Sequence, residues 1–309
     1  MASTKTIQSR IKSVKNTSQI TKAMEVVSAT KMRKAQAFAL RARPYAVASL
    51  EMLENLLSRT ATLPALLASR PVKKSLLIAI TADKGLAGAF NANVLKQADA
   101  WIEKKRNLKE DFTLLTIGKK ARDYFALRRV PIQDSFIQFG DYAHIEETLP
   151  VADAIIEGFL LGAWDEAEAV YTHFRSTLKQ ETTLKRVLPV TKEGITAIVE
   201  AILPERGRFA ELRSEERETP HYSYEYKIEP SPEEILAGLI PQLLRMHIHH
   251  MILESNASEH SARMVAMKSA SDNATELIGE LTLEFNKSRQ AGITRELTEI
   301  TAGREALEG

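Results

Sequence analysis

Ser231-Pro-Glu-Glu-Ile-Leu-Ala-Gly-Leu-Ile-Pro-Gln-Leu-Leu-Arg-Met246 decides how the chain is to be read. It opens with a capping serine, a proline at the first helical position, and Glu234 where it can close a capping box. Pro241 is the last proline in the chain. Apolar residues recur at Ile235, Leu239, Leu243 and Met246, then at Met264, Met267, Ala274, Ile278, Leu281 and Phe285. The series resumes at Ile293, Leu297, Ile300 and Leu307. Spacings of three and four held for so long are coiled-coil behaviour. An unbroken helix over 232–307 would run about 114 Å at roughly 1.5 Å per residue, with a bend expected at Pro241.

The N-terminus mirrors this. No glycine occurs before Gly85 and no proline before Pro44, so strong breakers are missing from the first forty residues. Ile7, Ile11 and Val14 start a narrow stripe, which Ile20, Met24 and Val27 continue one face over. After Pro44, expected to kink or end the helix, come Val47, Leu50, Leu53 and Leu57. Stripes this narrow fit one partner helix, so pairing the two ends as a long antiparallel coiled coil buries both.

The middle alternates. Ser75–Thr81 is a short continuous apolar run, like a buried parallel strand. Helix-like segments over 91–105, 119–128 and 148–162 are interleaved with strand-like segments over 112–117, 169–174 and 182–190. That is the pattern of an α/β domain with a largely parallel sheet. Residues 204–230 carry Tyr222, Tyr224 and Tyr226 and read as a polar loop running into an edge strand. The expected division is an N-terminal coiled-coil helix over 1–60, a Rossmann-like α/β domain over 72–230, and a C-terminal coiled-coil helix over 231–309.

The 309 residues are 44% hydrophobic and 27% charged, an ordinary globular composition. There is no cysteine, which excludes a disulfide framework, a thiol nucleophile and a cysteine-bound zinc. No apolar run reaches the roughly 18 residues of a membrane span, and the basic N-terminus reads as the start of a helix rather than a leader. The expectation is a soluble protein of a reducing compartment. Net charge is +2, but residues 1–43 hold ten Lys/Arg and one acid, leaving about −7 on the remainder. Such an arm suggests an anionic partner: an acidic protein face, a nucleic acid or a lipid surface. With Phe38 its only aromatic, it lacks the stacking platform of single-strand binders.

Thr81-Ala-Asp-Lys-Gly-Leu-Ala-Gly-Ala-Phe-Asn-Ala-Asn93 follows a strand and opens a helix, where phosphate loops sit. It matches neither a Walker loop nor a full dinucleotide fingerprint, so a tight turn is the plainer reading. His247, His249 and His250 stand close on one helix, and His247 and His250 could share a metal, but no third ligand is spaced to complete a site. The methionines at 246, 251, 264 and 267 read as adaptable packing. No base–nucleophile pair stands out. The residues point to a mechanical or interaction protein. The alternatives are a nucleotide-dependent enzyme built on the α/β domain and a nucleic-acid clamp.

Three long motifs carry a resemblance. Ile11-Lys-Ser-Val-Lys-Asn-Thr-Ser-Gln-Ile-Thr-Lys-Ala-Met-Glu-Val-Val-Ser-Ala-Thr-Lys-Met-Arg-Lys34 is one. Ser258-Glu-His-Ser-Ala-Arg-Met-Val-Ala-Met-Lys-Ser-Ala-Ser-Asp-Asn-Ala274 and Ser288-Arg-Gln-Ala-Gly-Ile-Thr-Arg-Glu-Leu-Thr-Glu-Ile-Thr-Ala-Gly303 are the others. In this order, with Asp83–Asn91 between them, they resemble the gamma subunits of F-type rotary ATP synthases over essentially the whole chain.

The resemblance implies a rotor. Its terminal helices would turn inside a ring of alpha and beta subunits. Its α/β domain would meet the epsilon subunit and the membrane ring of c subunits, and proton flow would turn the shaft. The resemblance implies no cofactor, no nucleic-acid partner and no chemistry on the chain itself. It implies residence at the cytoplasmic face of a bacterial inner membrane, held through the complex. By motif, Lys22, Met24, Lys31, Arg33 and Lys34 would lie where the shaft passes the beta levers. Arg289 and Gln290 match positions that meet a beta loop. Leu297 and Ile300 belong to the segment, ending at Leu307, that would enter an apolar collar, and Glu229 would lie near the foot. Arg304 and Glu305 replace small residues expected near the tip, and the chloroplast form's cysteine-bearing insertion is absent.

Overall fold

The computed structural model describes the chain except residues 1–3, 42–51, 53–55, 57–59, 61–63, 140–142, 192–228 and 309. The expected continuation of the first helix past Pro44 falls mostly outside the described residues, and so does the tyrosine-bearing loop up to residue 228. The elements in order are α1 (Thr4–Arg41), β1 (Lys74–Ile80), α2 (Phe90–Leu108), β2 (Asp111–Ile117), α3 (Lys119–Leu127), β3 (Ile132–Phe136), α4 (Ile145–Leu160), β4 (Glu166–Phe174), β5 (Gln180–Leu188) and α5 (Pro232–Glu308). The capping serine expected at 231 is present: the Glu234 N–H donates to Ser231 Oγ at 3.2 Å. Pro241 lies inside α5.

The chain divides into two compact units. The first joins residues 1–28 to residues 263–309. It is an antiparallel pair of helices with a heptad seam. On α1 the less exposed positions include the series 7, 11, 14, 18, 21, 25 and 28, and on α5 the series 267, 271, 274, 278, 281, 285 and 288. Alternating steps of four and three keep one line of side chains facing a partner helix.

That seam corrects the expected stripe. Ile20 and Val27 are 61% and 52% exposed, while Thr21 and Ser28 are buried. Ser271 is buried on the other helix. Small side chains let two backbones approach closely, and Thr21 satisfies its hydroxyl on the Ser18 carbonyl at 3.0 Å. The branched residues are left outside.

The second unit, residues 29–262, is built on a five-stranded sheet of order β3-β2-β1-β4-β5. Among the described residues only the β4–β5 pair is antiparallel. β1 is buried from Ser75 to Ile80, as a central strand covered on both faces must be. One face packs Leu77, Ala79, Leu114 and Val170 against Trp101 of α2 and Phe125 of α3. The other packs Leu76, Ile78, Ile80 and Tyr171 against Ile155 and Phe159 of α4 and against α5. Gly118, at φ +91°, links β2 to α3. A Cβ there would lie 2.1 Å from the Thr81 carbonyl oxygen, so only glycine fits.

β3 and several element ends differ from expectation, β4 beginning at Glu166 rather than 169. β3 was not foreseen, because Ile132-Gln-Asp-Ser-Phe136 lacks both alternation and a continuous apolar run. α4 begins at Ile145 rather than 148. The Glu147 carboxylate accepts from the His144 N–H at 3.1 Å, and Glu146 and Glu147 suit the positive end of the helix.

Candidate partner-contact surfaces

Within the first unit the seam accounts for one line on each helix and leaves the rest of each surface outside. On α1, Ile20, Val26 and Val27 form an exposed apolar group. Lys22 and Met24 stand among them. Lys22 is exposed and paired with Glu25 at 3.0 Å, and Met24 is half-buried. A short apolar patch rimmed by charge is the form of a contact surface. The expectation named Lys22 and Met24 but had folded Ile20 and Val27 into the seam. Their exposure is the signal that sequence counting missed.

Beyond Ser288 the seam ends. Every residue from Arg289 to Arg304 is exposed, so this stretch of α5 stands without a companion helix from the described chain. Arg289 and Gln290 lie at its start. Ile293, Leu297 and Ile300 follow on a 3–4 spacing, Leu297 59% and Ile300 68% exposed. The threonines turn their hydroxyls back onto the helix. Thr294 donates to the Gln290 carbonyl at 3.0 Å, and Thr298 to the Thr294 carbonyl at 2.8 Å.

In the second unit, Arg33 and Lys34 are exposed on α1 and Lys31 is half-buried. The same stretch buries Met32 and Ala35, and Phe38 packs on the sheet's core. Glu229 is exposed just before α5.

The Thr81–Asn93 loop lies at the switch point of the sheet, where chain direction diverges from β1 and an open α/β fold ordinarily takes its ligand. Here the crevice is filled from within the unit. Ala262 of α5 packs against Ala82, Ala87 and Phe90. Ser258 donates to the Thr172 carbonyl at 3.2 Å, and Ser261 to the Thr177 carbonyl at 2.8 Å. Asp83 accepts from the N–H groups of Lys119 and Gln138 at 2.7 and 2.9 Å, and Asn91 accepts from the Ala82 N–H at 2.9 Å. The loop is a structural turn that ties three strand ends together.

The histidines lie within the second unit. His247 and His250 are buried. His249 Nδ1 is 2.9 Å from the Thr148 hydroxyl of α4. Burial pushes His247 down to about 3, reinforced by His250 and Lys185. Burial, with His250 beside it, pushes His249 down to about 4. The buried carboxylate in their midst is Glu254. His173 Nδ1 of β4 lies 2.9 Å from both of its oxygens, and His250 Nε2 lies 3.4 Å away, one turn back on α5. Burial raises Glu254, but these imidazoles outweigh it and hold the carboxyl at about 2. Among the described residues, no group of three His, Cys, Asp or Glu is arranged to hold a metal ion. No helix among them is long and apolar enough to cross a membrane.

Comparison with known proteins accounts for nearly the whole chain. The family model described as ATP synthase matches residues 3–307. A protein of Roseiflexus castenholzii named ATP synthase gamma chain is 41% identical over 310 aligned positions, covering 99% of both chains. One of the same name from Geotalea daltonii is also 41% identical, covering 100% of both. A chain in the central stalk and c-ring structure of the Tetrahymena thermophila mitochondrial ATP synthase is 26% identical. It covers 82% of this chain and 99% of its own, with a TM-score of 0.54. A chain of the Euglena gracilis mitochondrial ATP synthase is 19% identical, with a TM-score of 0.59 over 98% of this chain and 94% of its own, a likeness of fold.

Proposed function

The chain belongs to the family of ATP synthase gamma chains, and on that footing we propose that it is the rotating shaft coupling proton flow to ATP synthesis at neighbouring subunits. One observation carries the reading. The helix from Arg289 to Arg304 is exposed on every side and presents Ile293, Leu297 and Ile300. An apolar stripe on a bare helix calls for a sheath supplied by other chains.

In this reading the division is a coiled-coil helix over 1–60, an α/β domain over 72–230 and a second coiled-coil helix over 231–309. Leu297 and Ile300 turn in an apolar collar formed by alpha and beta subunits. Arg289 and Gln290 meet a beta loop in one rotational state. Lys22, Met24, Lys31, Arg33 and Lys34 pass acidic beta levers, joined by the exposed Ile20 and Val27. Glu229 lies toward the c ring, beside the epsilon subunit. The chain takes no cofactor and makes or breaks no bond, and it is held at the cytoplasmic face of a bacterial inner membrane through the complex. The filled switch point favours this over a nucleotide-dependent enzyme on the α/β domain.

The basic residues suit a sliding contact, because exposed ion pairs of about 0.2–1 kcal/mol do not trap a rotor at one angle. The test is charge reversal, Lys31→Glu, Arg33→Glu and Lys34→Glu together, in the reconstituted complex. Protons pumped per ATP hydrolysed should fall while helix content stays at the wild-type level. Unchanged coupling would remove the levers from the reading. ATP hydrolysis by the chain free of other subunits would overturn the shaft itself.

A further inference from the structure

We propose that Glu254 is a positioning residue that sets the axial register of α5 on the sheet, by its hydrogen bond to His173 of β4.

The need for such a device is written in the helix. Leu236, Ile240, Leu244, Ile248 and Ile252 recur every four residues, and all are buried in the core between α5, α4 and the sheet. A slide of one turn, about 5.4 Å, replaces the inner members with another aliphatic residue of nearly the same volume, and only at one end brings in Pro232 or Asn256. Hydrophobic burial is non-directional, so this ridge holds the helix down without choosing among positions one turn apart.

Glu254 does not repeat. One turn away on either side stand His250 and Ser258. A slide in one direction sets an imidazole against His173, and a slide in the other sets a hydroxyl there. Both strand the Glu254 carboxylate in a buried site without its partner. Removing one partner of a buried charge pair is far costlier than replacing both by apolar groups. Wrong registers are therefore penalised by much more than the correct one gains, which is how a buried polar group specifies alignment. Arg245–Asp153 at 2.7 Å, and the Ser258 and Ser261 hydroxyls on backbone carbonyls, are consistent with the same register. Those groups are partly exposed or neutral and discriminate less.

The inference concerns the second unit alone and holds in whatever assembly the chain works. The absence of cysteine makes the test clean. Spin labels go on Gly238→Cys, where nothing lies within 4 Å of an added Cβ, and on Ala126→Cys, exposed near the end of α3. The full chain should give one narrow label–label distance. The triple substitution Glu254→Leu, His173→Leu, His250→Leu keeps the core apolar and should add a second population displaced by about 5 Å. If the triple variant is folded and gives a single unshifted distance, the ridge and the hydroxyls set the register and the proposal fails. A second variant covers failure to fold. Glu254→His alone should broaden or shift the distance, and adding His173→Glu should restore the single peak by re-forming the pair in reverse. No restoration by the reverse pair also overturns the proposal.

Discussion

Acid should loosen the second unit well before ordinary carboxylates titrate. His247 sits in α5 with His250 and Glu254 on its own helix and Lys185 facing it from β5. His249 faces Thr148 of α4, with Glu146 and His144 nearby. Burial holds His247 down to about 3 and His249 to about 4. In the unfolded chain both take the ordinary value near 6.5. Between these limits the unfolded state binds more protons, so stability rises with pH and falls as pH drops through about 6.5. At pH 5, His247 alone is 1.5 units below its unfolded value, which at about 1.36 kcal/mol per unit costs roughly 2 kcal/mol relative to pH 7.5. His249 adds to the loss with the same sign, and their shared neighbour His250 keeps the two from adding fully. Glu254 acts in a separate window. Its carboxyl is held at about 2, so its contribution is intact above about 4.5 and lost only as pH falls further toward 2. The assay is thermal unfolding of the full chain by circular dichroism at pH 7.5, 6.5, 5.5 and 5.0. A loss of about 2 kcal/mol lowers the midpoint by about 4–8 °C in a domain of this size. His247→Leu should flatten the slope while leaving the fold intact at pH 7.5. A midpoint constant within a degree from pH 7.5 to 5.0, or an equal slope in His247→Leu, would refute the reasoning.

The isolated chain should self-associate through Ile293, Leu297 and Ile300. Sedimentation velocity should show concentration-dependent species that Leu297→Ser with Ile300→Ser suppresses. Gly118→Ala should cost at least about 2 kcal/mol in urea denaturation, because its φ is +91° and the new Cβ meets the Thr81 carbonyl. Lys105 lies 2.6 Å from Glu166 and 2.5 Å from Glu110, with both members of the Lys105–Glu166 pair buried. Glu166→Leu alone leaves Lys105 with only Glu110 as partner and should cost about 1–3 kcal/mol, and adding Lys105→Met should recover most of it; a double variant as unstable as the single one would contradict the desolvation argument.

The α/β domain was legible because its strands carry their own signal. Leu76–Ile80 is apolar throughout, as a strand covered on both faces can be, and its neighbours 112–117 and 169–174 are mostly apolar or β-branched. β3 was not legible, because a five-residue edge strand reading Ile-Gln-Asp-Ser-Phe is held by pairing to β2 rather than by its own pattern. The lysines, arginines and leucines of the contact surfaces came from motif likeness. Nothing in spacing alone separates an exposed Leu297 from a buried Leu281.

The coiled coil shows why that separation fails. An apolar count assumes that the most apolar line on a helix is the buried one. In the first unit the buried line takes Thr21, Ser28 and Ser271, and Ile20 and Val27 stay outside. This is costly for a chain that must be stable alone, since each large aliphatic left in water forgoes about 1.5–3 kcal/mol of burial. It is reasonable for a helix pair with a second surface to satisfy. The seam is small-sided at Thr21, Ser28 and Ser271 and aliphatic at Ile7, Met267 and Leu281. The branched residues then remain for contacts that must be made and released, where strong burial against one fixed neighbour would be a handicap. On this argument the exposure of Ile20 and Val27 and the bareness of α5 from Arg289 to Arg304 have one cause: the helix pair uses for its own seam only part of its apolar surface.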